Sequence, residues 1–232
     1  MEKIDPAQKL EKLPVGVSCI DSLMNGGLES GVITELYGEG GSGKSNMSML
    51  FALAAIKNDK TAVFLDTEGF SADRFMQICG GSSEPSESLM LYRVSSLDDQ
   101  ELSIMRVLKM LEKSRKIGIV IVDSFTEYFR LEKTADAASR SAGFQKQLGL
   151  LSSIALRGNV PVLITNQIYQ DMDSKLLHPF GGFLIDHSMK AIYQLEKLPG
   201  GKRRISVSKH RSIPEGNSSE YRIVDYGVNC EG

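Results

Sequence analysis

The stretch Gly38-Glu39-Gly40-Gly41-Ser42-Gly43-Lys44-Ser45 satisfies every fixed position of the pattern G-x-x-x-x-G-K-[ST], and its flanks decide the fold. Its glycines let the backbone curl so that successive N–H groups face one point, while Lys44 supplies positive charge and the Ser45 hydroxyl a ligand for a divalent cation. Before it, Val32-Ile33-Thr34-Glu35-Leu36-Tyr37 reads as a strand; after it, Met47 through Ile56 reads as a largely apolar, buried helix. A helix N-terminus behind such a loop adds its positive dipole end to the same anion site. Residues 38 to 45 are therefore expected to hold a nucleoside triphosphate together with Mg²⁺. A glycine-rich surface turn, the other reading, would have to imitate both the motif and its strand-loop-helix setting.

Working outward, short apolar runs alternate with helical patterns, the signature of βαβ units and a mostly parallel sheet. Thr61 to Leu65 and Leu89 to Val94 read as strands, and Ser96 caps a helix in which Leu102, Met105, Leu108 and Leu111 recur at three-to-four spacing up to about Lys113. Ile117-Gly118-Ile119-Val120-Ile121-Val122 reads as a strand buried on both faces, with Val160 to Ile164 as its counterpart after a long helix from about Ala135 to Arg157. Beyond these, Ala191, Tyr193 and Leu195 alternate with polar residues, a turn comes at Leu198-Pro199-Gly200-Gly201-Lys202, and Ile205 and Val207 alternate again. That predicts an antiparallel hairpin added at one edge of the sheet. Gly80 to Ser86 reads as a mobile connector. The fold class expected is α/β, a core with helices on both faces of a mostly parallel sheet, spanning residues 1 to 232 as one domain.

Composition sets bounds. With 232 residues and 41% hydrophobic content the chain can bury one substantial core. No apolar leader opens it and no run approaches the roughly 20 apolar residues of a membrane span, so a soluble, cytoplasmic protein is expected. Cys19, Cys79 and Cys230 are odd in number and lack C-x-x-C spacing, which suggests reduced thiols and no structural zinc site. A net charge of −2 gives no global pull on nucleic acid, so any such contact must come from local basic patches or an oligomer.

Open α/β sheets bind ligands at the carboxyl ends of their strands. Asp123, closing the apolar strand, is expected beside Ser45 to hold Mg²⁺ through water, or else to serve as an N-cap for the next element. Glu68, in Asp66-Thr67-Glu68-Gly69 at the end of the previous strand, is a candidate general base for an attacking water, or a solvated turn carboxylate. Gln167, in Thr165-Asn166-Gln167, offers a neutral amide that can sense a γ-phosphate. His187 and His210 have no metal-ligand spacing.

These residues resemble the cores of RecA/RadA-type recombinases. Pro14 to Glu35, with its Gly16-to-Asp21 segment and the Gly26-Gly27 turn, looks like their leader, and Asp66-Thr67-Glu68-Gly69, Val122-Asp123-Ser124, Ile164-Thr165-Asn166-Gln167 and Gly181 to His187 come in the family's order. The chain is most similar to a short archaeal branch in which the core begins almost at the N-terminus and Lys209-His210-Arg211 lies in a late strand. The resemblance implies a RecA-like fold, Glu68 as the water-activating residue, Gln167 as the γ-phosphate sensor and Arg74 against the adenine. It also implies a DNA-binding accessory role in DNA repair and homologous recombination, with weak Mg-dependent ATP hydrolysis and ATP acting mainly as a conformational switch. By the same resemblance the partners are DNA, single-stranded or branched, the RadA recombinase, a Holliday-junction resolvase and further copies of the chain.

Departures from the family pattern matter. RadA proteins carry a helical N-terminal domain and an aromatic anchor that polymerises protomers, whereas about a dozen residues precede the core here and none is Phe. The segments matching the DNA-binding loops are short. Arg130, Lys133, Arg140 and Lys146 form a basic set near the first and Lys175 lies in the second, suited to phosphate contacts or to a solvated face. Lys202-Arg203-Arg204 reads as a phosphate site or as charges that protect a sheet edge, the edge reading being favoured. Lys209 and Arg211, two apart on a strand, face one side and suit charge-stabilising fingers for a neighbouring protomer's nucleotide, or a solvent-facing strand. The alternative function is a KaiC-like oligomeric signalling ATPase with no DNA role; a small-molecule kinase is weaker, because nothing resembles its substrate lid.

Overall fold

The strand Ile33–Gly38 (β3) is the axis on which the molecule is built. The computed structural model describes residues 11–113, 116–132, 136–170, 177–179 and 188–230. Ahead of β3 lie Lys12–Leu13 (β1), Ser18–Leu23 (α1) and Leu28–Glu29 (β2), with β1 and β2 forming a small antiparallel ladder. After it come Lys44–Lys57 (α2), Thr61–Asp66 (β4), Ala72–Ile78 (α3), Leu89–Arg93 (β5), Leu97–Lys113 (α4) and Ile117–Asp123 (β6). The chain continues through Glu127–Leu131 (α5), Ala137–Gly158 (α6), Val162–Gln170 (β7), Leu177–Pro179 (β8), Ala191–Lys197 (β9), Lys202–His210 (β10), Ser218–Val224 (β11) and Gly227–Cys230 (β12).

The main sheet runs in the order β12-β11-β10-β9-β3-β7-β6-β4-β5, with β8 paired antiparallel to β7. From β9 through β5 neighbouring strands are parallel; β9 to β12 are antiparallel. The uninterrupted apolar run of β6 reflects burial on both faces, and its alternation sorts it. Ile119 and Ile121 join the cluster containing Met47, Phe51 and Leu53 of α2, while Val120 and Val122 join the one containing Ile104 and Val107 of α4 and Leu148, Leu151 and Ile154 of α6. Side chains of period two on a strand thus meet different helices above and below.

The expected fold class is the observed one, and several local expectations are corrected. Ser96 caps α4 as predicted, its hydroxyl accepting from the Asp99 N–H at 3.1 Å. The long helix begins at Ala137, capped by the Asp136 carboxylate on the Ser139 N–H at 2.7 Å, and a separate short helix, α5, precedes it. The Gly80 to Ser86 connector carries a 3-10 turn at Glu84–Ser88. The C-terminal hairpin is extended by β11 and β12, so β10 pairs on both sides and Lys202-Arg203-Arg204 protects no edge. Arg204 and Lys202 instead face Glu220 of the adjoining strand, at 2.8 and 3.9 Å. Cys19 and Cys230 form a disulfide and Cys79 is free, so two of the three cysteines are not reduced thiols; packing of β12 beside α1 closes the 211-residue separation. Among the described residues no helix is long and apolar enough to cross a membrane.

The turn before β2 depends on one missing side chain. Gly27 has φ +114°, and a Cβ there would stand 2.1 Å from the Leu13 carbonyl oxygen, whereas one at Gly26 meets only the Lys12 stem at 3.5 Å. Backbone strain and overlap of this kind cost on the order of 1–3 kcal/mol each. Gly27→Ala is therefore expected to lower unfolding free energy by about 2–4 kcal/mol in urea titrations, with Gly26→Ala losing less; equal losses would mean that the contact with Leu13 is not what selects glycine.

Candidate active site

Parallel pairing brings the carboxyl ends of β3, β4, β6 and β7 to one edge: Gly38 stands opposite Gln167, and Asp66 opposite Asp123. The loop leaving β3 is shaped by glycine in two ways. Gly43, at φ +104°, adopts a backbone region that strongly favours glycine, and a Cβ on Gly38 would lie 2.2 Å from the Leu195 carbonyl oxygen. The Lys44 ammonium folds back over the loop and donates to the carbonyls of Gly38 at 2.9 Å and Glu39 at 3.0 Å. It is 6% exposed, and desolvation lowers its pKa, an effect opposed by Glu68, Asp123 and Glu39. A buried ammonium folded over a glycine-rich loop at a helix N-terminus has the chemistry of an anion site.

Asp123 is buried, 5% exposed. The hydroxyls of Thr165, on β7, and Ser45, on the first turn of α2, both hydrogen-bond to its carboxylate. Desolvation raises its pKa, while those two bonds and Lys44 pull the other way. Asp66 does different work: its carboxylate accepts the N–H groups of Glu68, Gly69 and Phe70 at 3.3, 2.8 and 2.7 Å and so shapes the turn that presents Glu68. Thr67 staples that turn to β6, donating its hydroxyl to the Ser124 carbonyl at 2.8 Å and accepting the Ser124 N–H at 2.7 Å. Glu68 itself is exposed at this edge, where the Gln167 amide donates to it at 2.7 Å. Partial desolvation, then the nearby Asp123 charge, raises the Glu68 pKa above the usual carboxylate range.

Among the described residues no three His, Cys, Asp or Glu side chains converge as a metal cage. The Ser45 hydroxyl and Asp123 carboxylate are nonetheless a suitable donor pair for Mg²⁺, which keeps most of its waters and fills the remaining sites with phosphate oxygens.

The antiparallel end of the sheet forms a wall that motif reading missed. Tyr221 donates to the Ser42 carbonyl at 3.5 Å, and Ile223 comes within 3.0 Å of where a Gly43 Cβ would stand. Lys197, ending β9, lies 3.6 Å from Glu39 of the loop. Arg74 ties the wall to α2: its guanidinium donates to Asn46 Oδ1 at 2.7 and 2.8 Å and to the carbonyls of Val224, Asp225 and Gly227 at 2.7, 3.0 and 3.2 Å. None of these contacts has a local signal, because each joins segments more than 25 residues apart in the chain.

The basic residues are dispersed. Arg130 donates to Gln167 Oε1 at 3.1 Å and pairs with Glu127 at 3.1 Å. Arg140 lies partly exposed on α6 near Asp136, and Lys146 pairs with Glu101 at 2.6 Å. Lys133, Lys175 and His187 lie outside the described residues. His210 stands opposite Ala191, near the start of β3, so Lys209 and Arg211 belong to the edge away from the phosphate loop. Arg211 is paired there with Glu29, a carboxylate 4% exposed.

Comparison with known proteins places this geometry in a family. The Rad51 family model matches residues 7–231. A DNA repair and recombination protein RadB of Thermoplasma volcanium is 56% identical over 231 residues, covering 100% of this chain and 97% of the relative. Its counterpart from Thermoplasma acidophilum is 52% identical over 232 residues and covers 100% of both, and that from Archaeoglobus fulgidus is 37% identical over 93% of this chain and 97% of its own length. A solved structure described as the RadB recombinase superposes with a TM-score of 0.81 at 30% identity, covering 95% of this chain and 100% of the other. The chain therefore belongs to the Rad51 family, within the RadB branch of the RecA/RadA recombinases.

Proposed function

We propose that the chain is an ATP-dependent accessory protein of DNA repair and homologous recombination, built on a single RecA-like core, that binds MgATP at this edge and uses it mainly as a conformational switch, with slow hydrolysis. The observation that carries the reading is that Lys44 lies folded over the glycine loop while Ser45, one residue on, hydrogen-bonds to the buried Asp123 carboxylate. The relatives' names, all DNA repair and recombination proteins, favour it over a DNA-free signalling ATPase of KaiC type.

In this reading residues 38 to 45 cradle the β- and γ-phosphates, with Lys44 leaving the Gly38 and Glu39 carbonyls to take phosphate oxygens. Ser45 and Asp123 would hold Mg²⁺, which would supply neutralisation of the charge developing on those oxygens. Glu68 accepts the proton of the attacking water, its raised pKa bringing its basicity nearer to neutral pH. Gln167, already bonded to Glu68, senses the γ-phosphate. Arg74, placed between α2 and the β11–β12 turn, lines the side toward the adenine.

DNA is the proposed macromolecular ligand, single-stranded or branched, met through Arg130, Lys133, Arg140, Lys146 and Lys175. The RadA recombinase and a Holliday-junction resolvase are further partners in this proposal. Lys209 and Arg211, on the edge away from their own phosphate loop, suit fingers for a nucleotide held by a neighbouring copy, with Arg211 exchanging Glu29 for phosphate.

Lys44→Ala is expected to weaken MgATP binding at least tenfold by calorimetry, the size of a lost charge-assisted hydrogen bond or more, without a loss of cooperative unfolding; undiminished affinity would remove the phosphate-loop assignment. Glu68→Gln is expected to retain ATP binding while hydrolysis falls by roughly 10²–10⁴. Since Glu68 is active when ionised and its pKa is raised, wild-type hydrolysis should decline on acidification before an ordinary carboxylate would protonate. That acid limb should vanish from the residual activity of Glu68→Gln; its persistence would assign the titration to another group. Replacing both Arg140 and Lys146 by Ala should weaken single-stranded DNA binding across all sequences and reduce the salt-dependence slope by about 0.7 per lost contact. An unchanged slope would place DNA on another face.

A further inference from the structure

The Gln167 side chain is gripped at both ends by groups of opposite chemistry. Its Nε2 lies 2.7 Å from Glu68 Oε1, and its Oε1 lies 3.1 Å from Arg130 Nη1. A guanidinium has donors only, and an ionised carboxylate acceptors only. Turning the amide over would set NH₂ against guanidinium and oxygen against carboxylate, forfeiting both bonds. The orientation is therefore fixed by the two partners together.

Arg130 is itself well supported. Its Nη2 pairs with Glu127 Oε2 at 3.1 Å, one turn earlier on α5. The helix is anchored by Phe129, 1% exposed, whose ring packs against Phe125 and Phe144 at centroid distances of 5.6 and 4.9 Å. Tyr128 donates to the Val94 carbonyl at 2.8 Å from the same turn. The guanidinium thus approaches Gln167 from a packed base.

We propose that Arg130 is a positioning residue for Gln167, presetting the amide with its N–H end toward Glu68 and the phosphate-loop edge, so that the side chain meets ATP as a donor and the site distinguishes ATP from ADP. This rests on the reading of Gln167 as the γ-phosphate sensor. Of the two Nε2 hydrogens, one serves Glu68 and the second is directed by the same fixed plane. An amide left to rotate would present its oxygen to an anionic γ-phosphate for part of the time, and repel it.

The test is the affinity ratio of Mg-ATPγS to Mg-ADP, measured without DNA by fluorescent-nucleotide displacement for the wild type, Gln167→Ala, Arg130→Ala, Arg130→Lys and the double alanine variant. Loss of one hydrogen bond to a charged group corresponds to roughly a tenfold change in binding, so Gln167→Ala should lower the ratio about 3–10-fold and Arg130→Ala about 2–5-fold. Arg130→Lys, which keeps a donor, should retain most of the ratio and serves as the variant least able to disturb α5. The double variant should match Gln167→Ala alone, because a residue that acts through another adds nothing once that other is gone. An unchanged ratio in Arg130→Ala, or effects that multiply in the double variant, would overturn the positioning role while leaving the sensor in place. An unchanged ratio in Gln167→Ala would overturn the sensor reading, and the present inference with it.

Discussion

A buried carboxylate holds this edge of the molecule together. Asp123 ends the apolar strand β6, and its charge is stabilised by the hydroxyls of Thr165 and Ser45 and by the nearby Lys44 ammonium. Isolated, such a group would protonate or hydrate. Linked, it fixes the ends of β6 and β7 relative to the first turn of α2. A buried charge is strongly destabilising once one partner is removed, which makes these hydroxyls geometric constraints more than sources of net stability. Divalent-cation chemistry asks for the same arrangement: a carboxylate and a hydroxyl already fixed beside the phosphate loop.

Around that point the sheet divides its labour. The parallel strands bring Glu68, Asp123 and Gln167 to their carboxyl ends, and the antiparallel strands supply the wall. Arg74 joins the two by donating to three backbone carbonyls, at Val224, Asp225 and Gly227, and to Asn46 on α2. Backbone carbonyls at the end of a sheet are acceptors in need of donors, and one guanidinium satisfies several at fixed angles. The loop therefore sits between α2 and the β11–β12 strands, with Tyr221 and Ile223 against Ser42 and Gly43.

The legible part of the sequence was contiguous. The phosphate loop carries its whole chemistry in residues 38 to 45, and the β6 run advertises burial on both faces because every residue in it up to Val122 is apolar or glycine. The places of Asp123 and Glu68 in the fold were readable from position alone, one ending β6 and the other just past β4 at the same edge of the sheet. Contacts across long separations were not. The Arg74 staple, the Tyr221 and Ile223 wall and the disulfide between Cys19 and Cys230 all depend on where β11 and β12 fold back, and those short strands alternate too weakly to stand out. The basic triplet at Lys202 to Arg204 looks like an edge for the same reason: its edge-protecting role disappears once β11 is seen to pair with β10. Sequence places Arg130 among cations near DNA, whereas the fold turns its guanidinium toward Gln167 and Glu127, because α5 stands where periodicity suggests only the approach to a single long helix.

The central claim is that four strand ends and the C-terminal sheet form one nucleotide site. Hydrogen–deuterium exchange of the full chain with and without a saturating Mg-ATP analogue tests it most directly. Slowed exchange should appear together in residues 38–45, 66–70, 123–126, 165–167 and the β11–β12 turn at 223–227. Protection confined to the phosphate loop, or concentrated instead at the opposite end of the sheet around residues 116–118 and 157–161, would contradict the account.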